Sequence, residues 1–167
     1  MSNFPKLVPA FTAQIVLDAP VAIGQVSSGT INAAAPFATD GFLRSVPGYP
    51  VKVDGVFAHG SDYIRQDPSG KQARLEVNSI VKDKSGAVIN YKYTGILNVT
   101  PEVGAILSGS PDAKTTEFGD AFTQILFQTG AEELKAIESK VYVGSGRFII
   151  EAGKPPVVEY LISEVTA

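Results

Sequence analysis

Gly60, Asp62 and Arg65 lie within six positions of one another in a stretch of strand-like alternation, and they are the first candidates for chemistry. A glycine inside a strand favours a bulge, and a bulge here can turn the side chains of His59 and Asp62 the same way. An aspartate aimed into a barrel mouth and partly stripped of water can act as a general base or anchor a substrate hydroxyl. A structural role competes with this: Asp62 pairs with a neighbouring arginine, or bonds loop amides and holds the bulge. Tyr91 and Tyr93 share one strand face. If that face lines a cavity, the two phenols can stack on and hydrogen-bond a planar ligand; if not, they are cross-strand aromatics of a packed layer. Glu76, Asn78, Asn90 and Lys92 take the opposite parity. They are solvated around an apolar core, and would themselves form the site in a barrel with a polar lumen. A shift of one residue decides between these. The catalytic candidates are therefore Asp62, Tyr91 and Tyr93, and the substrate-binding candidates His59, Arg65, Arg147, Asn78 and Glu76.

Other patterns are excluded. His59, Ser61 and Asp62 have the residue types of a hydrolase triad, but three residues within four positions of extended chain cannot hold the nucleophile–base–orienter line, and no Gly-x-Ser-x-Gly elbow is present. Gly144-Ser145-Gly146 is followed by Arg147-Phe148-Ile149-Ile150, with no helical pattern, so it reads as a bulge or kink in a β-segment rather than a dinucleotide loop. Arg147 can still reach an anionic ligand. The chain has no cysteine and one histidine, which rules out disulfides, a thiolate nucleophile and a multi-histidine metal site. No metal and no cofactor are expected. With a net charge of -3 and its Lys and Arg scattered singly, the chain is expected to bind neither nucleic acid nor a membrane surface. Thr12 and Gln14 interrupt the apolar residues near the N-terminus, and no run approaches a membrane helix, so a cytoplasmic location is expected.

Residues 51–97 contain three alternating segments joined by two turns, Asp67-Pro68-Ser69-Gly70 and Asp83-Lys84-Ser85-Gly86. Proline presets φ in such turns and glycine accepts positive φ, so the stretch reads as an antiparallel meander. Before it, residues 1–9 carry two prolines and read as an extended arm, residues 10–18 as a half-buried strand, and residues 21–31 as a strand with a bulge. Residues 32–50 read as a long loop whose aromatics pack as cover, the alternative being a lid. After the meander, residues 100–114 form a connection with room for one helical turn. A strand is read at 121–127, a short helix capped by Thr129 at 129–137, and strands at 140–150 and 157–165. The sum is an all-β single domain over residues 1–167: one antiparallel β-barrel of about 8–10 strands with one short helix near 130–137, or alternatively a β-sandwich. A symmetric homodimer through an exposed strand face is expected.

The run Gly55 to Asp62, with Asp67, Gly70, Leu75-Glu76-Val77-Asn78, Asp83, Gly86 to Ile89 and Gly95, resembles a family of small bacterial and fungal β-barrels of unknown function. Phe127-Gln128-Thr129-Gly130 and Val141 to Arg147 are similar to its C-terminal half. That family is grouped with allene-oxide-cyclase-like barrels. The resemblance implies a barrel that binds a small, largely apolar organic molecule of secondary-metabolite type, and cofactor-independent cyclisation or isomerisation of it. A non-catalytic ligand-binding module and a structural barrel with a filled core are the alternatives.

Overall fold

The computed structural model describes residues 3–37 and 40–167. Ten antiparallel strands form one sheet: β1 (Lys6–Val16), β2 (Val21–Gln25), β3 (Ile31–Phe37), β4 (Phe42–Ser45), β5 (Asp54–Gln66), β6 (Gln72–Asp83), β7 (Val88–Asn98), β8 (Ala121–Thr129), β9 (Tyr142–Ile149) and β10 (Val157–Thr166). Eight of them close on themselves in the order β1–β4–β5–β6–β7–β8–β9–β10, because β10 pairs back onto β1 and β5 pairs with β6. Closure removes the sheet edges that an open meander would leave exposed. The hairpin β2–β3 is extra. Residues 31–37 of β3 pair with residues 60–66 of β5, while β4 takes only residues 54–56 of the same edge. β5 is thus shared lengthwise, and the hairpin flares from the barrel at one end.

The parity of β5 changes partway. Gly55 and Phe57 face inward, and so do Gly60 and Asp62, because the pairing with β6 slips between Phe57 and His59. Ala58 is the extra residue of this bulge. The expectation that a bulge here turns His59 and Asp62 together is corrected: the bulge sends Asp62 into the barrel and leaves His59 exposed outside. Gly60 is needed for a different reason than backbone freedom. A Cβ on it would lie 2.4 Å from the Phe37 ring and 2.5 Å from Ser79 Cβ, so Phe37 of β3 closes over the barrel wall only because that hydrogen is there.

Three other expectations are revised. Residues 32–50 contain two strands rather than a long loop; Ala38 and Thr39 of that stretch lie outside the described residues. Pro36 is tolerated inside β3 because its carbonyl, accepting from Asp18 N–H, faces away from β5, so the absent N–H belongs to that same outward side. Residues 6–9 of the expected arm are strand, paired with residues 163–166 of β10, and Pro9 sits beside a bulge; Met1 and Ser2 lie outside the described residues. The α-helix is α1 (Pro101–Leu107), capped by Thr100 Oγ1 accepting from Val103 N–H. The short helix expected near 130–137 is present, as a 3-10 helix over residues 132–137, but its cap differs. Thr129 ends β8, and its hydroxyl donates to Val88 O rather than capping a helix.

One end of the barrel is plugged. Phe11 packs against Tyr49, Phe127 and Tyr142 at ring separations of 5.0, 5.3 and 5.6 Å, and Leu134 and Ile137 of the 3-10 helix are buried with them. Tyr49 donates to Glu164 (2.6 Å), which also takes Lys140, so the polar edge of the plug is satisfied. The other end, where β5, β7 and β9 finish and β6, β8 and β10 begin, carries α1 and the flared hairpin. Among the described residues no helix is long and apolar enough to cross a membrane.

Candidate functional site

The inward residues of the open end are apolar: Leu75 and Leu97 of β6 and β7, Phe148 and Val158 of β9 and β10, with Ala33 of β3 and Ile106 of α1 as walls. They surround a cavity of about 550 Å³, within the usual range for a small-molecule site. The core is thus packed at one end and hollow at the other. The bulge in β5 delivers Asp62 to the floor of this hollow.

Asp62 is 8% exposed. Its Oδ1 accepts from Glu76 N–H at 3.2 Å and its Oδ2 from the Tyr93 hydroxyl at 3.4 Å. No cation pairs with it among the described residues; Arg65, the expected partner, points outward to Glu76 at 3.7 Å. Burial pushes the Asp62 carboxyl up to about 7; the two hydrogen bonds resist this and the Glu76 charge adds to it. The same burial, together with the neighbouring Asp62 charge, drives the phenols of Tyr91, Tyr93 and Tyr160 well above their usual range. They remain neutral donors across the accessible pH range.

The tyrosines are stacked edge to face: Tyr91 on Tyr93 at 5.8 Å and Tyr93 on Tyr160 at 5.2 Å. Tyr160 lines the cavity beside Asp62. Deeper in, the hydroxyls of Tyr91 and Thr123 are buried without a hydrogen-bond partner among the described residues. Each orphaned hydroxyl costs about 1–3 kcal/mol, which a purely structural core would shed by Tyr→Phe or Thr→Val.

The structure therefore brings Asp62, Tyr91 and Tyr93 together in the interior and leaves most of the binding candidates elsewhere. His59, Arg65, Glu76 and Asn78 are exposed on the outer face. Asn78 accepts from Asn90 Nδ2 at 2.7 Å there, so the polar-lumen reading does not hold. Arg147 reaches the cavity rim, but its guanidinium is held by Glu159 at 2.8 Å and lies over Phe118. His59→Ala is expected to leave both ligand binding and stability within about 0.5 kcal/mol of the parent, as for other surface changes; a binding titration and a urea melt check it.

Sequence reasoning missed Tyr160 and Thr123. Tyr160 shares parity with Val158 and Ile162, so the alternation of 157–165 carried the signal. Among the described residues no group of three or more His, Asp or Glu side chains converges to hold a metal ion.

Residues 5–165 match the family described as protein of unknown function, DUF3237. The chain belongs to that family. Solved structures share the barrel fold at low identity. A conserved protein of unknown function from Rhodopseudomonas palustris is 17% identical with a TM-score of 0.78, covering 99% of this chain and 100% of its own. A β-barrel-like protein from Acinetobacter baumannii is 17% identical with a TM-score of 0.73, covering 99% of each chain. An enzyme from Penicillium herquei is 14% identical with a TM-score of 0.64, covering 99% of this chain and 98% of its own. At these identities the likeness is one of fold. Comparison with the curated proteins finds no match.

Proposed function

We propose that this DUF3237 barrel binds a small, largely apolar organic molecule in its open end and moves a proton on it through Asp62, driving isomerisation or cyclisation without a cofactor. One observation carries the reading: a carboxyl on the floor of an apolar cavity, with a phenol hydrogen-bonded to it and, among the described residues, no cation to hold it permanently ionised. A carboxyl balanced near neutrality serves both as the base that removes a proton and as the acid that returns it, which an ordinary solvated aspartate does poorly. The walls confine the ligand in one conformation and keep water from the reacting atoms. Tyr93 orients the carboxyl through its bond to Oδ2. That a protein of the same fold is called an enzyme supports a catalytic reading, as fold-level analogy.

The test needs no knowledge of the natural substrate. 1-Tetralone, a small apolar ketone, is incubated with the protein in D2O at pH 8, and deuterium entering beside its carbonyl is read by mass spectrometry. Protein-dependent exchange is expected, and Asp62→Asn is expected to abolish it while ligand still binds. Binding without exchange in the parent protein would favour a non-catalytic binding module and sink the acid–base reading.

A further inference from the structure

Gly144 and Gly146 face inward on β9, in a strand whose register with β10 runs without a slip from Val157↔Ile149 to Glu164↔Tyr142. The bulge or kink expected at Gly144-Ser145-Gly146 is absent. The glycines make room instead. A Cβ on Gly146 would lie 2.4 Å from Tyr160 Cε1 and 2.8 Å from Cδ1, and one on Gly144 would meet Thr123 Oγ1 at 2.7 Å and Tyr160 Cδ1 at 3.5 Å. The Tyr160 ring therefore lies against bare backbone, held from its other side by Tyr93. Two side chains are given up so that one phenol can occupy this place on the cavity wall.

We propose that Tyr160, bedded on Gly144 and Gly146, is the group that receives the ligand's oxygen, so that the site takes an uncharged molecule bearing a carbonyl or hydroxyl oxygen and rejects carboxylates. Tyr160 lines the cavity together with Asp62, and its hydroxyl neighbours that of Tyr93, so a ligand oxygen reaching Tyr160 lies within the same polar cluster as the carboxyl. The phenol donates to that oxygen. Charge selection follows from the lining. Its carboxyl and cationic groups among the described residues are Asp18, Asp62 and Arg147, and Arg147 is already bound by Glu159 through both Nε (2.9 Å) and Nη2 (2.8 Å). A carboxylate entering the floor meets a carboxyl and no free cation. The proposal rests on the proton-transfer reading for its place in a reaction: with a β,γ-unsaturated carbonyl compound, as Asp62 takes a proton from the α-carbon, the electron pair moves onto the oxygen that Tyr160 holds, and return of the proton at the γ-carbon shifts the double bond into conjugation with no atom gained or lost.

Three bicyclic probes of similar size separate the contributions: 1-tetralone, tetralin, which lacks the oxygen, and 1-naphthoate, which carries a charge. Binding is measured by calorimetry at pH 8. Tyr160→Phe is expected to weaken 1-tetralone about 5- to 10-fold and leave tetralin unchanged, as loss of one hydrogen bond requires. Gly146→Ala keeps the hydroxyl but displaces the ring, and should weaken 1-tetralone in the same selective way. The parent protein should bind 1-naphthoate at least 10-fold more weakly than 1-tetralone, and Asp62→Asn should close that gap. Equal losses for tetralone and tetralin in Tyr160→Phe, no loss for either, or equal affinity of the parent for naphthoate and tetralone would each overturn the assignment. Deuterium exchange that survives Tyr160→Phe undiminished, with tetralone affinity unchanged, would remove Tyr160 and leave the role of Asp62 standing. Oxygen-selective binding loss in a protein that catalyses no exchange would do the reverse.

Discussion

Asp62→Asn is expected to raise the melting temperature at pH 8 by several degrees. The reason is a linkage argument with a definite sign. An aspartate has its ordinary value near 3.8, and in the folded protein the Asp62 carboxyl is pushed up to about 7. Between these two values the folded state binds more protons than the unfolded state, so stability falls as pH rises through this window. Above about pH 7 the loss is complete, with a ceiling of about 4 kcal/mol for a carboxyl moved from near 3.8 to about 7. Asparagine keeps Oδ1 as the acceptor for Glu76 N–H and presents Nδ2, a donor, to the Tyr93 hydroxyl oxygen, and it carries no charge to bury. The stabilisation should be near zero around pH 4, grow to its full size by about pH 7, and stay flat above. Parallel thermal melts of the two proteins from pH 4 to 9 give this curve directly. A constant difference across the range would show that Asp62 titrates normally and remove the basis for its acid–base role. The expected trade of stability against activity at one residue is common where a site holds a charge in an apolar place.

Phe57→Ala should act in the opposite direction, destabilising the barrel by about 3–5 kcal/mol. Phe57 is fully buried at the last regular position before the bulge and supports the floor beneath Asp62. Its ring meets Phe37 edge-on at 5.8 Å and Tyr91 at 5.5 Å. Truncation to a methyl removes both contacts, and the closed ladder of β5 between β4 and β6 keeps the walls from collapsing into the gap. Urea unfolding should show a lower midpoint with an unchanged slope. A loss below about 1 kcal/mol would mean that the surrounding rings relax into the space, contrary to the close packing expected of a barrel core. Tyr91 would then lack the rigid support that holds the phenol cluster in place.

The amino-acid sequence determined a good deal by itself. Period-two alternation in residues 51–97, with turn residues at Pro68, Gly70 and Gly86, is a local signal, and the meander β5–β6–β7 follows from it. The shared face of Tyr91 and Tyr93 and the opposite face of Glu76 and Asn78 were equally legible, because parity within a strand needs no partner. The candidates Asp62, Tyr91 and Tyr93 came from that reading, and so did the glycine-dominated pattern that placed the chain in its family. Tertiary structure alone decided which parity faces inward, since that depends on how the sheet closes. The extra residue at Ala58 inverts the parity of β5; Gly60 signalled a bulge in this stretch, but its position and the side chains it turns inward are set by the pairing with β6. The two strands within residues 32–50 escaped notice because each is short and proline-bearing or glycine-flanked, and their hydrogen bonds come from other segments: β2 and β5 for β3, β1 and β5 for β4. Tyr160 belongs to the site through Gly144 and Gly146, neighbours across a strand pair but fourteen or more residues away along the chain. Alternation is written into each segment separately, whereas the cavity and its phenol cluster are made by segments meeting.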